Sequence, residues 1–187
     1  KGVILTHYLS QSGDPHYRVD FEDVVVPASA RIGAAGSGWN SFDKVLHGGI
    51  ILLAAQAIGG AERCLEETVE YSKVRIQFDK PLGAFQALAH YMADASTHID
   101  GGRVLVHEAA WNAAEGRSIA RFAPMAKLFA CNTYQQTTRM CAQVWGGVAF
   151  TIEYDVQMFF RRAKELQLSW WNTPYLEELI AADVLDD

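Results

Sequence analysis

Two short stretches of this chain combine residue types that can hold a ligand carrying phosphates and a flat ring. In "YSKVRIQFDKPLGAFQ", Arg75 and Phe78 stand where a helix should end, followed by a tight turn through Pro81 and Gly83 and then by Gln86. A guanidinium grips phosphate through parallel N–H bonds, and an aromatic face covers a flat ring. In "QVWGGVAFTIEYDVQMFFRRAKE", Gln143 lies about one helical turn before Gly146 and Gly147. Glycines there let a ligand approach peptide N–H groups closely. Each stretch also has a plainer reading, with Arg75 solvated and the glycines forming a helix C-cap.

Other chemistries find no support in the spacing. A di-metal carboxylate bundle needs Glu-x-x-His on facing helices, and the sequence contains none. The "GSG" at 36–38 lacks the G-x-S-x-G form of a nucleophile elbow. No G-x-G-x-x-G joins a strand to a helix, which removes a Rossmann-type nucleotide site. The 6 histidines lie singly, and the 3 cysteines form neither a CxxC nor a cluster at zinc-ligand spacing.

The elements that must position these residues are mostly helical. "VILTHYLS" and "YRVDFEDVVVP" predict two strands ending at Pro27, joined by the turn "QSGDP". After Trp39 the apolar period lengthens to about 3.6 residues. Ile50, Ala54, Ile58, Ala61, Leu65 and Val69 then share one stripe, and Glu62, Glu66 and Glu70 lie off it. This predicts a helix over 41–77, broken by "FDKPLG". A second helix carries Phe85, Leu88, Met92, Ala95 and Ile99 and runs to about Ala114. A third has Pro124 in its first turn and ends at "WGGVAF". Shorter helices follow in "YDVQMFFRRAKEL" and "PYLEELIAADVL". The fold class is mainly α: a helical bundle over 37–187, preceded by short β-strands over 1–36.

Bulk properties narrow the partners. A formal charge of −6 argues against nucleic acid, which would call for a basic face. No continuous apolar run is expected to cross a bilayer, since "ILLAAQAIGGA" is short and continues into Gln56 and Glu62. An odd cysteine count on helices predicts buried free thiols in a reducing compartment. The N-terminal residues lack the pattern of a signal peptide and read as strands entered mid-structure, so a larger parent protein is expected.

Taken in order, "FEDVVVPASARIG…GSGW", "YSKVRIQFDKPLGAFQ", "MADASTHID", "MAKLFA" and "QVWGGVAFTIEYDVQMFFRRAKE" make the chain resemble the C-terminal part of an acyl-CoA dehydrogenase. The resemblance implies the end of a middle β-domain followed by the C-terminal four-helix bundle. It also implies FAD, an acyl-CoA substrate, a homo- or heterotetramer built as a dimer of dimers, and an electron-transferring flavoprotein as acceptor. A bacterial cytoplasm is expected ahead of a mitochondrial matrix. Arg75 and Phe78 match the family's R-x-x-F, which contacts the FAD of a neighbouring subunit, and Gln86 matches the Gln of the same motif. Gln143, Gly146 and Gly147 match its Q-x-x-G-G at the adenosine and pyrophosphate end. Asp79 departs from the pattern, where most members carry Gly.

The catalytic base departs further. The family reaction removes an α-proton with a Glu while the β-hydride passes to the flavin. By ungapped spacing from Gln143, the usual Glu falls on Trp170. The position used by a minority of members, on the first bundle helix ahead of Arg75, is Gly49. Three explanations are open at this point. The chain is the base-lacking subunit of a heteromer, or it is an active homotetramer with a relocated base such as His47 or Asp43, or it is a flavin-free oligomerisation scaffold. Trp170 is expected to fill the space over the flavin's reacting end.

Overall fold

The structure is a computed structural model that describes residues 2–185. It divides into two compact units, residues 1–45 and 46–187. In the first unit, β1 (Val3–Leu9) pairs antiparallel with β2 (Pro15–Phe21), in the register Val3 to Phe21. The hairpin is shorter than its β-rich sequence predicts. β2 stops at Phe21 rather than Pro27, because β1 begins at Val3 and the ladder runs out there. Asp23 then turns the backbone at φ 48°, a left-handed conformation that strands do not adopt.

Five α-helices are described: α1 (Gly38–Val74), α2 (Gln86–Ala114), α3 (Phe122–Trp145), α4 (Val156–Leu168) and α5 (Thr173–Leu185). α1 is shifted by three residues at each end from the predicted 41–77. Its last turn closes with Arg75 N–H donating to the Tyr71 carbonyl, and the chain then enters a small hairpin. α2 ends where Gly116 takes φ 68°, with Arg117 N–H returning to the Asn112 carbonyl, a glycine-terminated C-cap.

The second unit is a helical bundle with α3 at its centre, packed on α2, α4 and α5. The predicted stripe of α1 is the core: Ile50, Ala54, Ile58, Ala61 and Leu65 are buried. α1 meets α3 through Gly60 against Tyr134, and α2 through Ile58 against Gly102. Cys64 and Cys141 bury together, with the Cys141 thiol donating to the Cys64 carbonyl at 3.6 Å. All three cysteines are free; a hydrogen bond with Cys141, together with burial, pushes the Cys64 thiol up, and burial pushes Cys131 up to about 11. α1 is, by length and composition, apolar enough to cross a membrane. That corrects the expectation that no run reaches such a length. Its stripe packing into the bundle core gives the apolar residues a partner other than lipid.

The α1–α3 approach is close enough to test. A Cβ at Gly60 would stand 2.6 Å from Tyr134 Cζ, and that ring is only 2% exposed. Gly60→Ala is therefore expected to cost about 1–3 kcal/mol of stability by overpacking, read by urea unfolding. An unchanged midpoint would contradict this packing.

Candidate functional site

The C-terminal end of α1 and the C-terminal end of α3 come together through two aromatic rings. Tyr71 stacks on Trp145 with centroids 4.0 Å apart and planes within 8°. Trp145 Nε1–H also donates to Thr68 Oγ1 at 3.0 Å, which locks the indole to α1. This contact brings the helix turn ahead of Arg75 beside the helix end that carries Gln143, Gly146 and Gly147.

Beyond α1, β3 (Ile76–Gln77) and β4 (Lys80–Pro81) form a hairpin whose two-residue turn is Phe78-Asp79. Both turn residues have positive φ, at 51° and 63°, the pattern that usually selects Asn-Gly or Gly-Gly. The turn holds Phe78 outward, 87% exposed, with its ring edge-on to Phe85. The Lys80 ammonium lies 4.2 Å over the Phe85 ring. Arg75 is exposed, and its carbonyl accepts from Leu82 N–H, which closes the hairpin. Gln86, also exposed, opens α2.

The paired glycines at the end of α3 have different reasons. Gly146 is the C-cap at φ 67°, with its N–H bonded to the Ala142 carbonyl, so the backbone requires glycine there. Gly147 has no such requirement. Its φ is not left-handed, and a Cβ on it would meet nothing within 4 Å. Gln143 is exposed on the last turn of α3.

A second locus forms where the loop between α4 and α5 meets the first half of α1. Trp170 and Trp171 both take positive φ, 59° and 113°. The Trp170 ring lies directly against Gly49: a Cβ at residue 49 would stand 2.1 Å from Cζ3 of that indole. The Trp171 ring packs edge-on against His47 at 5.0 Å and against Tyr175 at 5.4 Å. The Trp171 carbonyl accepts from Lys127 Nζ at 2.6 Å. His47 therefore joins this locus, half-buried, while Asp43 lies on the part of α1 that belongs to the first unit.

The C-terminal domain of acyl-CoA dehydrogenases matches residues 36–172. The chain belongs to the acyl-CoA dehydrogenase family. It is 40% identical over 148 residues to a short-chain-specific acyl-CoA dehydrogenase of Megasphaera elsdenii, covering 79% of this chain and 39% of that protein. The solved butyryl-CoA dehydrogenase of the same organism superposes with a TM-score of 0.95 at 33% identity, over 98% of this chain and 49% of that one. A chain in the solved structure of the electron transferring flavoprotein of Acidaminococcus fermentans gives 0.97 at 33%, over 100% of this chain and 50% of that one. Relatives include bacterial and mitochondrial proteins. The chain spans half or less of the length of these relatives.

Within this acyl-CoA dehydrogenase bundle, Gly49 and Trp170, two separate departures by sequence spacing, are in contact. Lys127 appeared only inside "MAKLFA", without a role. Its signal was a cation on a stripe otherwise made of Ala123, Ala130, Cys131 and Tyr134, all buried. Gly49 and Trp170 should be coupled energetically. Gly49→Ala is expected to cost about 1–3 kcal/mol in the natural background, because the new methyl meets the indole. In a Trp170→Gly background the same change should stabilise by up to about 1 kcal/mol, through the better helix propensity of Ala. Equal effects in both backgrounds, in a double-mutant cycle read by urea unfolding, would contradict the contact.

Proposed function

We propose that this chain is part of a FAD-dependent acyl-CoA dehydrogenase that oxidises an acyl-CoA thioester between its α and β carbons, and that it serves as the base-lacking subunit of a heteromer. Residues 1–36 are read as the tail of a middle β-domain and 37–187 as the C-terminal helical domain, a division supported by the family match beginning at residue 36. The observation that carries the subunit assignment is the Gly49–Trp170 contact. Both places where a base would be sought are occupied by one indole and the gap it needs.

The residues present fit a flavin dinucleotide at the other locus. Arg75 offers a solvent-facing guanidinium for a phosphate, and Phe78 an outward ring for a flat face. Gln143 offers an exposed amide, and Gly147, which the fold does not require to be glycine, leaves room for close backbone approach. Gln86 stands at the start of α2 to complete this set. When bound, the flavin supplies a two-electron acceptor for the β-hydrogen. The α-proton needs a positioned carboxylate with a raised pKa, and on this reading a homologous partner chain provides it. The assembly is then a heterotetramer, with an electron-transferring flavoprotein as acceptor. A bacterial cytoplasm suits the three buried free thiols.

A second reading has one observation in its favour. His47 sits half-buried at the same locus, edge-on to Trp171, where a relocated base in a homotetramer would be sought. The scaffold reading is weaker, because a scaffold has no use for an outward Arg75, Phe78 and Gln143 or for an unforced Gly147.

The test is anaerobic mixing of the whole flavin-loaded protein with a saturated acyl-CoA. Present as the only polypeptide, it is expected to leave the flavin oxidised, and addition of the partner chain should bleach it. Bleaching by this polypeptide alone would sink the subunit assignment and move the base to His47 or Asp43. Trp170→Glu is expected to gain slow bleaching, with some loss of stability from the lost contact of the indole with Gly49. No gain in a folded, flavin-loaded variant would refute the placement of residue 170 at the reacting end.

A further inference from the structure

Lys127 is the bulkiest fully buried side chain among the described residues, with 0% exposure. It sits on α3 between buried Ala126 and Ala130, four residues before Cys131. No carboxylate pairs with it among the described residues, and its one hydrogen bond there is to the Trp171 carbonyl. Desolvation lowers its pKa, with the nearby Cys131 opposing weakly. A buried amine with a single acceptor is costly to keep, and an apolar side chain of similar length would fill the same volume. The acceptor it reaches belongs to a stretch of positive-φ backbone.

That backbone is Trp170-Trp171, two consecutive bulky residues at φ 59° and 113°. Such conformations cost on the order of 1–3 kcal/mol each and persist only where the surroundings over-determine them. On one side the loop is tied by Ser169, whose N–H and hydroxyl both donate to the Glu165 carbonyl at 2.8 Å. On the other side Asn172 caps α5, its Oδ1 accepting from Tyr175 N–H at 3.3 Å. Between these ties, among the described residues, the polar anchor reaching the peptide after Trp171 is Lys127.

We infer that Lys127 is a positioning residue: from inside the bundle it latches the Trp171 carbonyl and so holds residues 169–172 in the conformation that lays the Trp170 ring on Gly49 and the Trp171 ring on His47. Residue 170 is thereby aimed at α1 by a group that never touches it. Any side chain placed there, indole or carboxylate, would be aimed by the same bond. The inference concerns the loop alone and does not depend on the subunit assignment or on a bound flavin.

The test uses the whole protein labelled with 5-fluorotryptophan, its fluorine resonances assigned by single Trp→Phe substitutions. In Lys127→Met, the Trp170 and Trp171 signals are expected to shift or broaden, while those of Trp111 and Trp145 stay in place. Unmoved Trp170 and Trp171 signals in a folded variant would overturn the latch. So would an equal disturbance of all four, which would mark Lys127 as general packing. Should Lys127→Met fail to fold, the unsubstituted protein decides. The labelled Nζ hydrogens of Lys127 should exchange with solvent on the order of a hundred-fold more slowly than those of the exposed Lys73 and Lys164. Exchange at the rate of those surface lysines would refute the bond.

Discussion

The contact between the Trp170 ring and the bare Cα of Gly49 is the constraint around which the second unit makes sense. An indole can lie that close to a helix only where the helix carries no side chain, since even a methyl there would fall 2.1 Å from the ring. The ring in turn reaches the helix only because two consecutive tryptophans accept left-handed backbone. Each feature is unfavourable alone: glycine inside a helix, positive φ at bulky residues, a buried lysine with no carboxylate partner among the described residues. Together they satisfy one another. The arrangement has the character of local strain retained where surrounding structure enforces it, which is common at functional loci.

The ends of α1 and α3 show a different logic. There the Tyr71–Trp145 stack and the Trp145–Thr68 hydrogen bond are ordinary, well-satisfied interactions. They fix a platform from which Arg75, Phe78, Gln143 and Gly147 face outward. All four are exposed at the surface, and their exposure is what supports a ligand at this end. A rigid base that presents exposed, unforced residues contrasts with the strained locus at Gly49. This contrast is the physical basis for reading the chain as one that keeps flavin contacts while lacking its own base.

Much of this was legible in the sequence because helical periodicity is a strong signal in long amphipathic segments. The stripe from Ile50 to Leu65 is the core, and the breaks at "EGRS" and "WGGVAF" fall where α2 and α3 end, whereas α1 stops at Val74, ahead of "FDKPLG". The strand following Tyr17 was over-extended, because β-branched composition carries no information about where the partner strand runs out. The α1 boundaries slipped by three residues, since the glycines before Trp39 read as connector and not as a first turn. Apolar length was misjudged in α1, where Gln56 and Glu62 interrupt the run without making the helix polar overall. The Gly49–Trp170 contact and the Lys127 bond joined residues 121 and 44 positions apart, and no local pattern encodes such pairings. Arg75, Phe78, Gln86, Gln143 and the paired glycines were visible as motifs, but the difference between Gly146 and Gly147 needed backbone angles.

Native mass spectrometry of the complex purified gently from its own source tests the central claim most directly, by counting polypeptides and flavins. Two kinds of homologous chain in one tetramer, with two flavins for every four chains, are expected. A tetramer of a single kind of chain carrying four flavins would contradict it, and the base would then have to be found on this polypeptide.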